Sequence, residues 1–152
     1  MTVDINLIKQ LREETGAGIA DCRKALEEAE GNIDKAKEVL RKKGMEKADK
    51  KSDRAMGSGL VYAYIHGTGQ IGALVEISCE TDFVAKNEDF QSLCKEVAMQ
   101  VASMNPADVA ELLDQAYIRD SKKTIGELVK ERIAKIGENM AIRRFSRFAV
   151  SE

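Results

Sequence analysis

A chain of 152 residues is long enough for one ordinary domain or two small ones, and 43% apolar residues with a single proline describe a mostly helical globular protein. Its 24 basic residues against 26 acidic ones leave a net charge of −2, which argues against direct nucleic-acid binding, since phosphate contacts need a concentrated basic surface. The amino terminus, MTVDINLIKQLREE, carries charges too early for a signal peptide, and no segment approaches the roughly 20 apolar residues that span a bilayer. A cytoplasmic protein with no membrane contact is expected.

From Asp4 to Gly44 the pattern reads as three short helices punctuated by glycines. Ile5, Ile8 and Leu11 form the apolar stripe of the first, which Thr15-Gly16-Ala17-Gly18 stops. Ile19, Cys22, Leu26 and Ala29 recur at helical spacing up to Gly31. Asn32 then caps a third helix carrying Ile33, Ala36, Val39 and Leu40, closed by Gly44. Helices of about 11 to 13 residues do not stand alone in water, so the three must pack on one another. Residues 1–44 are read as one small domain.

Met45 to Met56, MEKADKKSDRAM, is polar and of mixed charge and runs into Gly57-Ser58-Gly59. It reads as a linker or frayed helical extension over 45–56, with solvated lysines, ahead of a second domain over 57–152.

The period then changes. GLVYAYIHG and IGALVEISC are β-branched and aromatic runs separated by Thr68-Gly69-Gln70, which predicts a β-hairpin with His66 at the edge of its turn. The next stretch, CETDFVAKN, sets a carboxylate beside a large aromatic at a strand-to-helix corner. Two readings of Phe83 stand: it packs into the corner while Thr81 and Asp82 bond nearby amides, or it faces a partner's pocket. Asp82 must face water or a partner, because an unpaired carboxylate is far too costly in a core.

Asn87 caps the following helix, with Glu88 and Asp89 where the helix dipole favours acids. Phe90, Leu93, Cys94, Val97, Val101 and Met104 mark its apolar face, and Asn105-Pro106 ends it. A shorter helix is expected from Asp108 to Ala116. Thr124 to Glu127 is a capping box for a helix with Leu128, Ile133 and Ile136 that stops at Gly137. The end, MAIRRFSRFAV, alternates Ile142, Arg144, Ser146 and Phe148 against Arg143, Phe145, Arg147 and Ala149, and predicts a third antiparallel strand. The second domain is therefore α+β, a small three-stranded antiparallel sheet packed by helices.

No enzyme emerges from these residues. His66 is the only histidine and lies in a turn, so Ser-His-Asp and Cys-His arrangements lack a plausible base. Cys22, Cys79 and Cys94 have no C-x-x-C spacing, and a zinc site lacks its usual ligand set. They read as buried thiols, with a disulfide between subunits left open and no cysteine favoured for it. No glycine pattern matches a phosphate-cradling loop, so neither a metal nor a nucleotide cofactor is expected. RRFSRF interleaves arginine with phenylalanine, but strand alternation sends neighbours to opposite faces, which disfavours a single RNA-binding surface.

Three segments, LREETGAGIADCRKALEEAEGNIDKAKEVLRKKG, CETDFVAKNEDFQSL and KIGENMAIRRFSRF, resemble in the same order the signature regions of the elongation factor Ts family of bacteria and organelles. The resemblance implies an amino-terminal three-helix domain of ubiquitin-associated type, a linker and an α+β core. It implies guanine-nucleotide exchange on elongation factor Tu, with Thr81, Asp82, Phe83 and Val84 intruding on the partner's GTPase domain near its Mg²⁺. Docking of the first domain carries over to Leu11, Arg12, Gly16 and Ile19. Many members have two methionines where this chain has Ile19 and Ala20, and Ala20 buries less. The region around IGENMAIRRF would touch another domain of the partner.

Longer members carry a second core half and a helical insertion between the segment around Pro106 and ELLDQA, whereas here Asn105-Pro106 runs almost directly into it. Short members of this kind associate as dimers, so the resemblance implies a homodimer with C2 symmetry. A non-catalytic interaction module, with a ubiquitin-associated-like domain and a dimerising core, is the alternative; RNA binding through RRFSRF and the linker lysines is weakest on charge.

Overall fold

The computed structural model describes residues 2–152, which form two compact units meeting between Lys47 and Ala48. The first unit is helical. Helix α1 (Ile5–Thr15) is capped by Asp4, whose carboxylate accepts from the amide of Asn6, and it ends at Gly16 in the left-handed conformation. Helix α2 (Ile19–Glu28) follows, and α3 (Ile33–Lys50) begins where Asn32 accepts from the amide of Lys35. Leu11, Cys22, Ala25, Leu26, Ala29 and Ala36 make the core, with Leu7, Ile8, Val39 and Leu40 packed on it.

Two expectations for these helices are corrected. Ile5 and Ile19, the first residues of their helices, lie outside the apolar stripes at 68% and 58% exposure; Leu7, Ile8 and Leu11 form the inward side of α1, and Cys22, Ala25, Leu26 and Ala29 that of α2. Gly44 does not close α3, which continues through Met45 to Lys50. A mid-helix glycine costs only about 1 kcal/mol relative to alanine, and good helix formers flank it on both sides.

The second unit is built on an antiparallel sheet. Strands β1 (Ser58–His66) and β2 (Ile71–Cys79) form the hairpin, with Gly67 and Gly69 at positive φ in the turn, and β5 (Met140–Ala149) pairs with the other edge of β2. The order is β1-β2-β5. Helix α5 (Glu88–Met104) crosses one face, burying Phe90, Leu93, Cys94, Val97 and Val101 against Val75, Ile77 and Cys79. Met104 departs from the predicted stripe and is half exposed at the last helical position. Helix α6 (Val109–Asp114) is capped by Asp108 but stops before Ala116, because Ala116 opens a two-stranded ribbon, β3 (Ala116–Tyr117) and β4 (Asp120–Thr124), that the sequence did not announce. Thr124 then caps α7 (Ile125–Ile136), and Gly137 ends it at φ 91°.

Strand β5 also breaks its expected alternation. Ile142 pairs with Ile77 and Arg144 with Glu76, so Arg143 is an extra residue in a β-bulge. A bulge switches the face of all that follows. Met140, Ile142, Phe145, Arg147 and Ala149 therefore share the helix-covered side, while Arg144, Ser146 and Phe148 share the open one. Arg143 joins the open side, donating to Ser78 Oγ at 3.1 Å, and Arg144 pairs with Glu76 at 2.7 Å. The expected separation of neighbouring arginines to opposite faces does not hold.

Among the described residues no helix is long and apolar enough to cross a membrane.

Candidate functional site

The corner after β2 is assembled from three parts of the chain. Cys79 ends the strand fully buried, and its thiol donates to the carbonyl of Thr81 at 3.3 Å. Burial pushes the Cys79 thiol pKa up, and the nearby Glu138 carboxylate adds to the shift, so the sulfur stays protonated and inert. Thr81 caps a single helical turn, α4 (Asp82–Ala85), its Oγ1 accepting from the amide of Val84 at 3.4 Å. Val84 and Ala85 are buried and pin the turn to the core. Phe83 points the other way and is 89% exposed, which rules out the corner-packing reading.

Three contacts brace the turn. Ser58 Oγ donates to Asp82 Oδ1 at 2.8 Å. The Glu138 carboxylate accepts from the Thr81 amide at 3.0 Å and from the Thr81 hydroxyl at 2.7 Å. Next to these, Glu80 Oε2 accepts from the amide of Asn139 at 2.7 Å, and Arg54 approaches the same oxygen at 3.6 Å. Asn139 is buried, and its Nδ2 donates to the carbonyls of Ser52 and Arg54. The α5 helix beyond the turn starts at Asn87, whose side chain accepts from the amide of Asp89.

Thr81, Asp82, Phe83 and Val84 thus form one element with an inward half and an outward half. In the first unit, Arg12, Gly16 and Ile19 are exposed, and so is Ala20, whereas Leu11 is entirely buried. Leu11 therefore holds α1 in its core and offers no surface. The three cysteines are free and buried. His66 Nδ1 lies 2.9 Å from the Tyr64 hydroxyl, an exposed pair at the hairpin end. Among the described residues no group of three or more His, Cys, Asp or Glu is placed to hold a metal.

Sequence reasoning did not single out Ser58, Glu80, Glu138 or Asn139. Their partners lie 24 to 87 residues away, beyond any local periodicity or capping signal. The available hint was that Glu80 falls inside the CETDFVAKNEDFQSL segment and Glu138 and Asn139 inside KIGENMAIRRFSRF.

Comparison with known proteins points to one family. The family described as elongation factor TS matches residues 80–152, beginning at the residue before Thr81. A protein of Coprothermobacter proteolyticus named elongation factor Ts is 42% identical over 197 aligned positions covering all of both chains. Proteins of the same name from Leptospira biflexa and an Anaeromyxobacter species are 43% and 42% identical over 99% of this chain, covering 98% and 89% of their own. The 197 positions of the first alignment against the 152 residues here leave about 45 without a counterpart in this chain. Identity at this level over the full length, together with the three ordered segments and the matching α+β architecture, establishes that the chain belongs to the elongation factor Ts family.

Proposed function

We propose that the chain is a guanine-nucleotide exchange factor for elongation factor Tu, acting in the cytoplasm during translation elongation without covalent chemistry, cofactor or direct nucleic-acid contact. The observation that carries the reading is the 89% exposure of Phe83 on a turn whose other half is buried and whose base is braced. A monomer gains nothing from presenting a phenylalanine this way. Burying it in a partner's pocket stabilises the complex by about 1.5 to 3 kcal/mol.

Thr81, Asp82, Phe83 and Val84 enter the GTPase domain near its Mg²⁺. Of these, Asp82 and Phe83 make the contact, while Thr81 and Val84 hold the turn. Mg²⁺ demands near-ideal octahedral geometry with phosphate oxygens among its ligands, so a small shift of its protein support loosens both ion and GDP. The coupling is reciprocal, and each tenfold loss of GDP affinity requires about 1.4 kcal/mol from the new interface. The first unit adds docking surface through Arg12, Gly16 and Ile19, with Leu11 fixing α1, which carries Arg12 and ends at Gly16.

A homodimer belongs to the same proposal. On the uncovered side of the sheet Val61, Ile65, Leu74 and Phe148 are 48% to 79% exposed, beside a shallow groove of about 360 Å³. Apolar surface of this kind suits a second copy of the same face.

Stopped-flow release of a fluorescent GDP analogue from elongation factor Tu tests the reading. The wild-type chain accelerates release, and Asp82→Ala with Phe83→Ala together remove at least about tenfold of that acceleration. Binding without acceleration by the wild type would instead favour the pure interaction module. Full acceleration by the double variant would sink the proposed mechanism while leaving the function.

A further inference from the structure

We propose that Glu138 is a positioning residue for nucleotide exchange: its carboxylate grips Thr81 by two hydrogen bonds and so sets the direction in which Asp82 and Phe83 leave the corner. The inference rests on the reading of Thr81 to Val84 as the element that enters the partner.

Left to itself the turn is weakly held. A four-residue helix has no stability of its own, and the Thr81 cap bond to Val84 is long at 3.4 Å. Val84 and Ala85 secure the inward half only. On the outward half, Ser58 reaches Asp82 and Glu138 reaches Thr81.

The Glu138 contact is the stronger of the two, because one carboxylate takes both the amide and the hydroxyl of a single residue in charge-assisted bonds. It is also part of a reciprocal arrangement. Glu138 accepts from the backbone of Thr81, and Glu80, the residue before Thr81, accepts from the backbone of Asn139, the residue after Glu138. Each segment supplies one carboxylate and one N–H.

The 138–139 segment is itself fixed. Gly137 ends α7 at positive φ and redirects the chain, and buried Asn139 is tied to the carbonyls of Ser52 and Arg54. A phenylalanine on a mobile turn would lose ordering entropy on entering its partner. One on a clamped turn is already ordered, and a small misplacement of such a group is felt directly in rate.

The test uses the full chain and saturating titrations of the GDP-release assay. Glu138→Ala lowers the maximal release rate by about tenfold or more while the half-saturating concentration moves less than about threefold. Glu138→Gln still offers an acceptor to the amide and a hydrogen-bonding group to the hydroxyl, and stays within about threefold of wild type. Adding Glu138→Ala to the double variant Asp82→Ala with Phe83→Ala gives no further loss, because Glu138 acts through those two side chains. Amide hydrogen exchange in Glu138→Ala rises about tenfold or more at residues 82–84 and is unchanged in α7 and β5.

Wild-type exchange by Glu138→Ala, losses that multiply with those of the double variant Asp82→Ala with Phe83→Ala, or unaltered protection of the turn each overturn the positioning role while the exchange reading stands. Wild-type exchange by Phe83→Ala and Asp82→Ala together overturns the reading of Thr81 to Val84 as the entering element, and the positioning role with it, while the exchange function stands.

Discussion

Ser58, the first residue of β1, donates its hydroxyl to Asp82 Oδ1 at 2.8 Å and ties the open end of the hairpin to the turn that carries Phe83. Both residues are at the surface, and the bond spans 24 positions of sequence. Water can replace it, so its loss is felt in aim more than in stability. Ser58→Ala changes the free energy of unfolding by less than about 1 kcal/mol, read from urea titrations, yet slows GDP release by about two- to fivefold. Equal stability with unchanged exchange would show that Asp82 needs no orientation.

Phe83→Ala separates binding from folding more cleanly. A side chain that is 89% exposed contributes little to its own fold, so the urea midpoint corresponds to a change within about 0.5 kcal/mol. The affinity for nucleotide-free elongation factor Tu falls by about tenfold or more in a calorimetric titration, as expected when a central aromatic is truncated. A large loss of stability would mean that Phe83 packs at home after all.

The open sheet face makes a prediction about assembly. Leu74 and Phe148 stand on it at 48% and 79% exposure, and burying such side chains between two copies yields about 1.5 to 3 kcal/mol each. Sedimentation equilibrium gives a dimer for the wild type and a monomer for Leu74→Asp with Phe148→Asp. The far-ultraviolet spectrum stays the same, because the substituted positions lie outside the core. A monomeric wild type at micromolar concentration would refute this part of the proposal.

What could be read from sequence, and what could not, divides by the range of the interaction. The hairpin was legible because a two-residue period flanks Gly67 and Gly69, and the caps at Asn87 and Thr124 because each acts within three positions. The outward aim of Asp82 followed from the cost of burying charge. By contrast, the bulge at Arg143 depends on the register of β2, and the ribbon at Ala116 to Thr124 on a helix residue, Gln100, that holds it from outside. Gly44 misled because a glycine stops a helix only when the chain adopts a left-handed turn there, and the residues around it favour continuing. The brace from Glu138 to Thr81 joins positions 57 apart, and only the packed β5 edge brings them together.

Gln100 tests that account of the ribbon. It is fully buried, donates from Nε2 to Gln115 Oε1 and the Ala116 carbonyl, and accepts at Oε1 from the Ile118 amide. Gln100→Leu fills a similar volume and leaves the Ile118 amide without its partner, at a cost of about 2 to 4 kcal/mol in urea unfolding. Hydrogen exchange rises first across residues 116–124. A loss of stability with the ribbon still protected would place the energy of Gln100 elsewhere.

Alkaline pH weakens the same core through groups that fold in neutral form. Burial pushes the Cys94 thiol from its ordinary 9.0 up to about 12. Burial and the hydrogen bond to Glu96 push the Tyr117 phenol from 10.0 to about 12. In both cases the folded state keeps a proton that the unfolded chain releases first, so stability is complete below the unfolded pKa and falls as pH rises toward the folded one. Unfolding midpoints therefore decline from about pH 9 and faster above about pH 10. Tyr117→Phe lowers stability at neutral pH by about 1 to 2 kcal/mol, because Glu96 loses a donor. It also flattens the decline between pH 10 and 12, because no phenolate then forms beside Glu96. Cys94→Ala flattens the earlier part from pH 9. If both variants decline in parallel with the wild type, the alkaline transition belongs to other groups.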